Sequence, residues 1–141
     1  MFPIFAFTAD KAVARPDGTA DAFGVHTVTY AESYPASRDV VLVAAIQVED
    51  ADQGTEQRWF VDFVDSKNKV MSTLKGPTLN IPKFGIRLGP KDAVMMINPT
   101  INLKVDGHGV FLLILRCESG QSIRIPYSFS TGIDNSFLKK R

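Results

Sequence analysis

Two histidines, one cysteine and scattered carboxylates are all the chain offers for acid–base, nucleophilic or metal chemistry. A zinc site needs several His, Cys or carboxylate ligands converging on one point. His108 lies between Gly107 and Gly109, where a solvated turn residue is expected, and His26 sits in a strand-like stretch beside Gly24. Cys117 would need a basic neighbour to act as a nucleophile. Arg116 adjoins it in sequence, but successive strand residues point to opposite faces, so an inert buried thiol is expected. Asp50-Ala-Asp-Gln-Gly54 resembles the start of a calcium loop, yet it lacks the third oxygen ligand, and Glu56 comes too soon to be the closing acid. Asp17, Asp21, Asp62 and Asp65 form no pair suited to acid–base work. Gly85-Ile-Arg-Leu-Gly89 lacks the Gly-Lys-Ser/Thr ending of a phosphate-binding loop. No catalytic residue, cofactor site or metal ligand emerges, and the chain reads as a protein that is not an enzyme.

Charge adds one weak binding feature. Lys83, Phe84, Arg87 and Lys91 make a basic loop with an aromatic residue, and Lys139, Lys140 and Arg141 end the chain. They are the candidate contacts for an anionic polymer. With a formal net charge of +1, no overall field draws the protein to nucleic acid, which is not expected as a partner.

The elements that must position these residues read as strands. Val110 to Leu115 is an apolar run too short for a typical helix, and Ile123, Ile125, Tyr127 and Phe129 alternate with polar residues after it. A turn at Asp106 to Gly109 precedes this hairpin. Earlier strands are expected at Phe2 to Thr8, Thr19 to Tyr30, Asp39 to Glu49 and Glu56 to Asp65, the last returning through Ser66-Lys-Asn-Lys69 to Val70–Leu74. Gly24 marks a bulge or a close backbone approach. Ile101, Leu103 and Val105 alternate after Asn98-Pro99, and Ile133, Phe137 and Leu138 could form one helical turn in the tail. Eight or nine short strands with Gly and Pro turns predict an all-β, antiparallel two-sheet sandwich over residues 1–130 with a short tail at 131–141. The apolar N-terminal run has no basic leader region and reads as a strand, no stretch is long enough to span a bilayer, and one cysteine suits a reducing compartment, so a cytoplasmic protein is expected.

The strands carry more apolar residues than one core requires. Val40 to Ile46 and Val110 to Leu115 are apolar on both faces, and Phe60, Val64, Met95 and Met96 add to the surplus. A two-layer sandwich buries one face of each strand. A second surface is therefore expected at Phe60, Val64, Met95, Met96, Val110, Leu112 and Ile114, covered by the tail, by the 76–92 loop or by another chain. The function this favours is a non-enzymatic interaction module, a scaffold, adaptor or accessory subunit that binds a protein partner, another protein or itself as a homodimer, through a sheet face or edge strand. The alternatives are a small-ligand or hydrolytic site formed by loops around His26, Tyr30, Tyr34 and His108, and anionic-polymer binding through the basic residues above.

Two resemblances accompany this reading. Asp106-Gly-His-Gly-Val-Phe-Leu-Leu-Ile-Leu115 is similar to the strand entry of immunoglobulin-like sandwiches, although the family's paired cysteines are missing and Phe111 stands where a corner tyrosine would carry its hydroxyl. The order Phe5-Ala-Phe-Thr-Ala-Asp10, Asp17-Gly18, Phe23-Gly-Val25, Tyr34-Pro35, the Val40–Val48 strand and a final Gly-x-aromatic hairpin resembles an uncharacterised family of small bacterial β-sandwich proteins. That resemblance covers residues 1–129 and implies a fold and a bacterial setting, with no functional residue to carry over.

Overall fold

The computed structural model describes residues 1–17, 19–83 and 94–131. Among these, the strands in chain order are β1 (Phe2–Ala14), β2 (Ala20–Val25), β3 (Val28–Tyr30), β4 (Ala36–Gln47), β5 (Glu56–Gln57), β6 (Trp59–Val64), β7 (Val70–Lys75), β8 (Leu79–Asn80), β9 (Val94–Ile97), β10 (Thr100–Val105), β11 (Gly109–Cys117) and β12 (Ser122–Ser130). The first sheet has the order β10-β4-β1-β2, with β9 pairing β4 beyond the end of β10; the second runs β3-β12-β11-β6-β7. β5 and β8 form a small two-stranded sheet. The fold is an all-β sandwich.

Period-two alternation builds the core. β4 turns Val40, Leu42, Ala44 and Ile46 inward against Val61 and Phe63 of β6, Phe111, Leu113 and Leu115 of β11, and Tyr127 and Phe129 of β12. Phe111 packs between Phe63 and Phe129, with ring centroids 5.2 and 5.9 Å away. Such offset and edge-on contacts are worth about 0.5–1.5 kcal/mol each beyond the area they bury.

The β11–β12 hairpin forms as its alternation predicts, with Val110 opposite Ser128 and Leu115 opposite Ile123. The β6–β7 hairpin turns through Asn68 at φ 64°, a conformation asparagine tolerates better than most residues. Three features differ from the sequence reading. β1 runs on to Ala14, because its second half pairs with β2. The Thr19–Tyr30 stretch is two strands: β2 joins the first sheet, and β3 crosses to the second. There β3 lies parallel to β12, so the sandwich is not wholly antiparallel. With the short strands at both ends of the sheets, the described residues hold twelve strands where eight or nine were expected. The expected helical turn at Ile133, Phe137 and Leu138 lies outside the described residues.

Both apolar runs are two-sided, as expected. Beneath the outer face of the first sheet, Val43 and Ala45 are 2% and 0% exposed although they are not part of the inter-sheet core. No helix among the described residues is long and apolar enough to cross a membrane.

Candidate functional site

Five polar side chains close a ring at one end of the sandwich. Asp10 comes from β1, His26 from the β2–β3 crossing, Thr29 from β3, Arg38 from β4 and Tyr127 from β12. Arg38 donates from Nη2 to Asp10 Oδ1 and from Nη1 to Thr29 Oγ1 at 3.2 Å. Thr29 Oγ1 lies 2.6 Å from the Tyr127 hydroxyl, which lies 3.0 Å from His26 Nδ1. His26 Nε2 returns to within 3.0 Å of Asp10 Oδ1, out of line for a hydrogen bond.

Arg38 can only donate, so the Thr29 oxygen accepts from it. Either hydroxyl can donate in the Thr29–Tyr127 bond, and the donor in the Tyr127–His26 bond follows the tautomer of the ring. Burial and the Arg38 charge both depress the His26 pKa below its ordinary value, against the opposing pull of Asp10. Burial pushes the Tyr127 hydroxyl up. Gly24 is what lets Asp10 lie here: its φ is +64°, and a Cβ on it would collide with the Asp10 carboxylate. The close approach expected at Gly24 is thus to a side chain.

The four residues of the ligand-site reading are not brought together. His26 belongs to the ring, whereas exposed His108 lies against Tyr34, with centroids 6.5 Å apart. Tyr30 is exposed at the end of β3. Cys117 is buried, and that burial raises its thiol pKa. In the calcium-like segment, Asp52 Oδ2 is occupied by the amino nitrogen of Met1 at 2.5 Å and the Glu49 amide at 2.8 Å. Among the described residues, no three His, Cys, Asp or Glu side chains converge to hold a metal.

A different surface stands out. On the outer face of β1 and edge strand β2, Phe5, Phe7 and Val13 line up with Phe23 and Val25, where Val25 is opposite Ala9 and Phe23 opposite Lys11. Phe5, Val13, Phe23 and Val25 are 45%, 42%, 53% and 62% exposed, and the Phe5 and Phe7 rings stack at 6.3 Å. The sequence does not single out this stripe, because apolar residues fall on both sides of β1.

The surface read from sequence divides. Phe60, Val64, Leu112, Ile114 and Val110 share the outer face of the second sheet, with Leu112 opposite Val64 and Arg116 opposite Phe60. Val110 is well exposed, Phe60, Leu112 and Ile114 are half-buried, and Val64 is buried. Met95 and Met96 lie instead on β9 of the first sheet, where Met95 packs on the core. Met96 lines a cleft of about 440 Å³ with Leu74, Lys75, Pro77, Ile97 and Thr100. On the second sheet, Asp62 accepts from Arg116 Nε at 2.8 Å and from Thr73 at 2.7 Å. Burial alone would raise the Asp62 pKa, but these bonds outweigh it and hold the carboxyl below its usual range. The Arg116 guanidinium also lies 4.3 Å over the Phe60 ring. Of the anion-contact candidates, Lys83 is exposed and its stem packs against Gly54, while Arg87, Lys91, Lys139, Lys140 and Arg141 lie outside the described residues.

No protein-family model matches the chain, and no curated protein is similar to it in sequence. Among solved structures, the chain is similar to a superoxide reductase (neelaredoxin) from Ignicoccus hospitalis, with 12% identity, a TM-score of 0.35, and coverage of 88% of this chain and 82% of that one. That neighbour is by name an enzyme, so the expectation that the present chain is not one is corrected and is not carried forward. A likeness this distant brings no activity, substrate or metal to the chain either.

Proposed function

We propose that the protein is an interaction module, a scaffold or adaptor that associates with a second copy of itself through the β1–β2 stripe. One observation carries this reading: Phe5, Val13, Phe23 and Val25 are large apolar side chains left exposed on the outer face of a sheet edge, with Phe7 stacked on Phe5. Fully burying a side chain of this size contributes about 1.5–3 kcal/mol, so a handful of them suffices to drive association. The stripe is also poor in charge. Asp21 is already paired with Arg15 at 2.8 Å, which leaves Lys11 as the one flanking charge without a partner. Such a face meets its own copy with little repulsion, as a two-fold symmetric interface requires.

Light scattering on the size-fractionated protein tests this across roughly 10–500 μM, a range that spans weak to moderate dimers. A dimer is expected, and it should become a monomer in F23E/V25E while the circular dichroism spectrum stays unchanged. A monomer at every concentration would refute the reading, and so would a dimer indifferent to F23E/V25E.

A further inference from the structure

The outer face of the second sheet carries a different chemistry from the stripe. Across it, Lys75 of β7 is opposite Phe60 of β6, and Phe60 is opposite Arg116 of β11; Arg124 of β12 sits one row away, opposite Ile114. Lys75 and Arg124 are exposed and have no ion-pair or hydrogen-bond partner. Arg116 is already fixed, by its Nε bond to Asp62 and its seat over Phe60, and its two terminal nitrogens make no bond. A guanidinium held in this way loses little side-chain freedom when it takes a carboxylate. Lys75 also lines the 440 Å³ cleft, whose lining among the described residues holds Leu74, Met96 and Ile97 and no acidic residue.

From these juxtapositions we infer that Arg124, the row Arg116–Phe60–Lys75 and the adjoining cleft form one binding site for an extended acidic peptide segment with an apolar anchor. The dimensions fit. Arg124 and Lys75 are three strand spacings and one two-residue row apart, about 16 Å, which an extended chain covers in about five residues. A carboxylate pair at Arg124 and Arg116 would therefore place an apolar side chain four or five residues further on at the cleft, with the cation of Lys75 between them. Nucleic acid suits this face poorly, because the cleft lined by Leu74, Met96 and Ile97 and the half-buried Leu112 and Ile114 offer a phosphate backbone no partner. The charged residues are on the opposite sheet from the stripe and the cleft shares no residue with it, so the site does not depend on the dimer.

The probe is a fluorescein-labelled ten-residue peptide with two glutamates separated by one residue and a phenylalanine four residues after the second, titrated by fluorescence anisotropy. Saturable binding is expected, weakened at least about tenfold by K75E/R124E, as the loss of close charge pairs at an interface implies. Exchanging the glutamates for lysines should abolish binding. Replacing the phenylalanine with serine should weaken it, and M96E should remove that difference between the two peptides. The inference is overturned if the peptide fails to bind, if K75E/R124E leaves binding unchanged, or if a ten-nucleotide single-stranded DNA binds as well as the peptide. F23E/V25E should leave the titration unaltered, so the outcome is separate from that of the dimer.

Discussion

Removing one oxygen atom tests the ring at its centre. In Tyr127→Phe the aromatic packing against Phe129, with centroids 5.7 Å apart, is retained. Two groups lose their partner: the Thr29 hydroxyl, which is 8% exposed, and His26 Nδ1. Thr29 still accepts from Arg38 and can turn its proton elsewhere, so its loss is small. His26 Nδ1 has no other partner, and a buried polar atom left unpaired costs about 1–3 kcal/mol. The sum is about 2 kcal/mol, which for a chain of this length lowers Tm by about 6–8 °C. Urea or thermal unfolding at pH 7.5 measures it. Tyr34→Phe supplies the contrast, because the Tyr34 hydroxyl is buried without any hydrogen-bond partner. Deleting an unsatisfied group is neutral or stabilising. The two substitutions remove the same atom from tyrosines in the same domain and should move stability in different ways. A Tyr127→Phe loss under about 0.5 kcal/mol, or equal losses for both, would refute the hydrogen bonds assigned to the Tyr127 hydroxyl.

Two more consequences follow from the same end of the sandwich. His26 has a lower pKa folded than unfolded, so the unfolded chain binds more protons; its contribution is complete above about pH 6.5 and declines as the pH falls below that, with a slope of at most about 1.4 kcal/mol per pH unit. Unfolding measured between pH 8 and 5 should show this decline in the wild type and not in His26→Gln, whereas the acid limb from Asp62 begins only below about pH 4 in both proteins. Gly24→Ala should cost about 1–3 kcal/mol, from the left-handed backbone and the displaced Asp10 carboxylate, and Asp10→Ala should recover part of that loss in the double variant; additive losses in a thermodynamic cycle would count against their contact.

The parts of the fold legible in the sequence are those written locally. Trp59, Val61 and Phe63 face inward as their alternation requires, and Ser66–Lys69 turns where expected. The β3–β12 pairing joins Val28 to Ser128, and a parallel contact across that span leaves no periodic trace in either strand. The ring was hidden for the same reason. Tyr127 shares the parity of Ile125 and Phe129 and reads as one more core residue, and only the fold shows that its hydroxyl meets His26. Asp10 and Gly24 could be singled out individually, but their contact depends on the β1–β2 register. The stripe at Phe5 and Phe23 was obscured by parity alone: apolar residues fall on both sides of β1, and the sequence does not say which side meets the other sheet.

The crossing from β2 to β3 has a consequence for how the chain holds together. Each large sheet draws on both ends of the sequence: the first takes β1, β2 and β4 from before the Ser66–Lys69 turn and β9 and β10 from after it, and the second takes β3 and β6 from before and β7, β11 and β12 from after. A cut at that exposed turn would leave two pieces, each holding incomplete portions of both layers and neither enclosing a core. Such halves gain structure only from each other, so this turn is the natural place to divide the protein into a complementing pair whose reassembly reports on whatever brings them together.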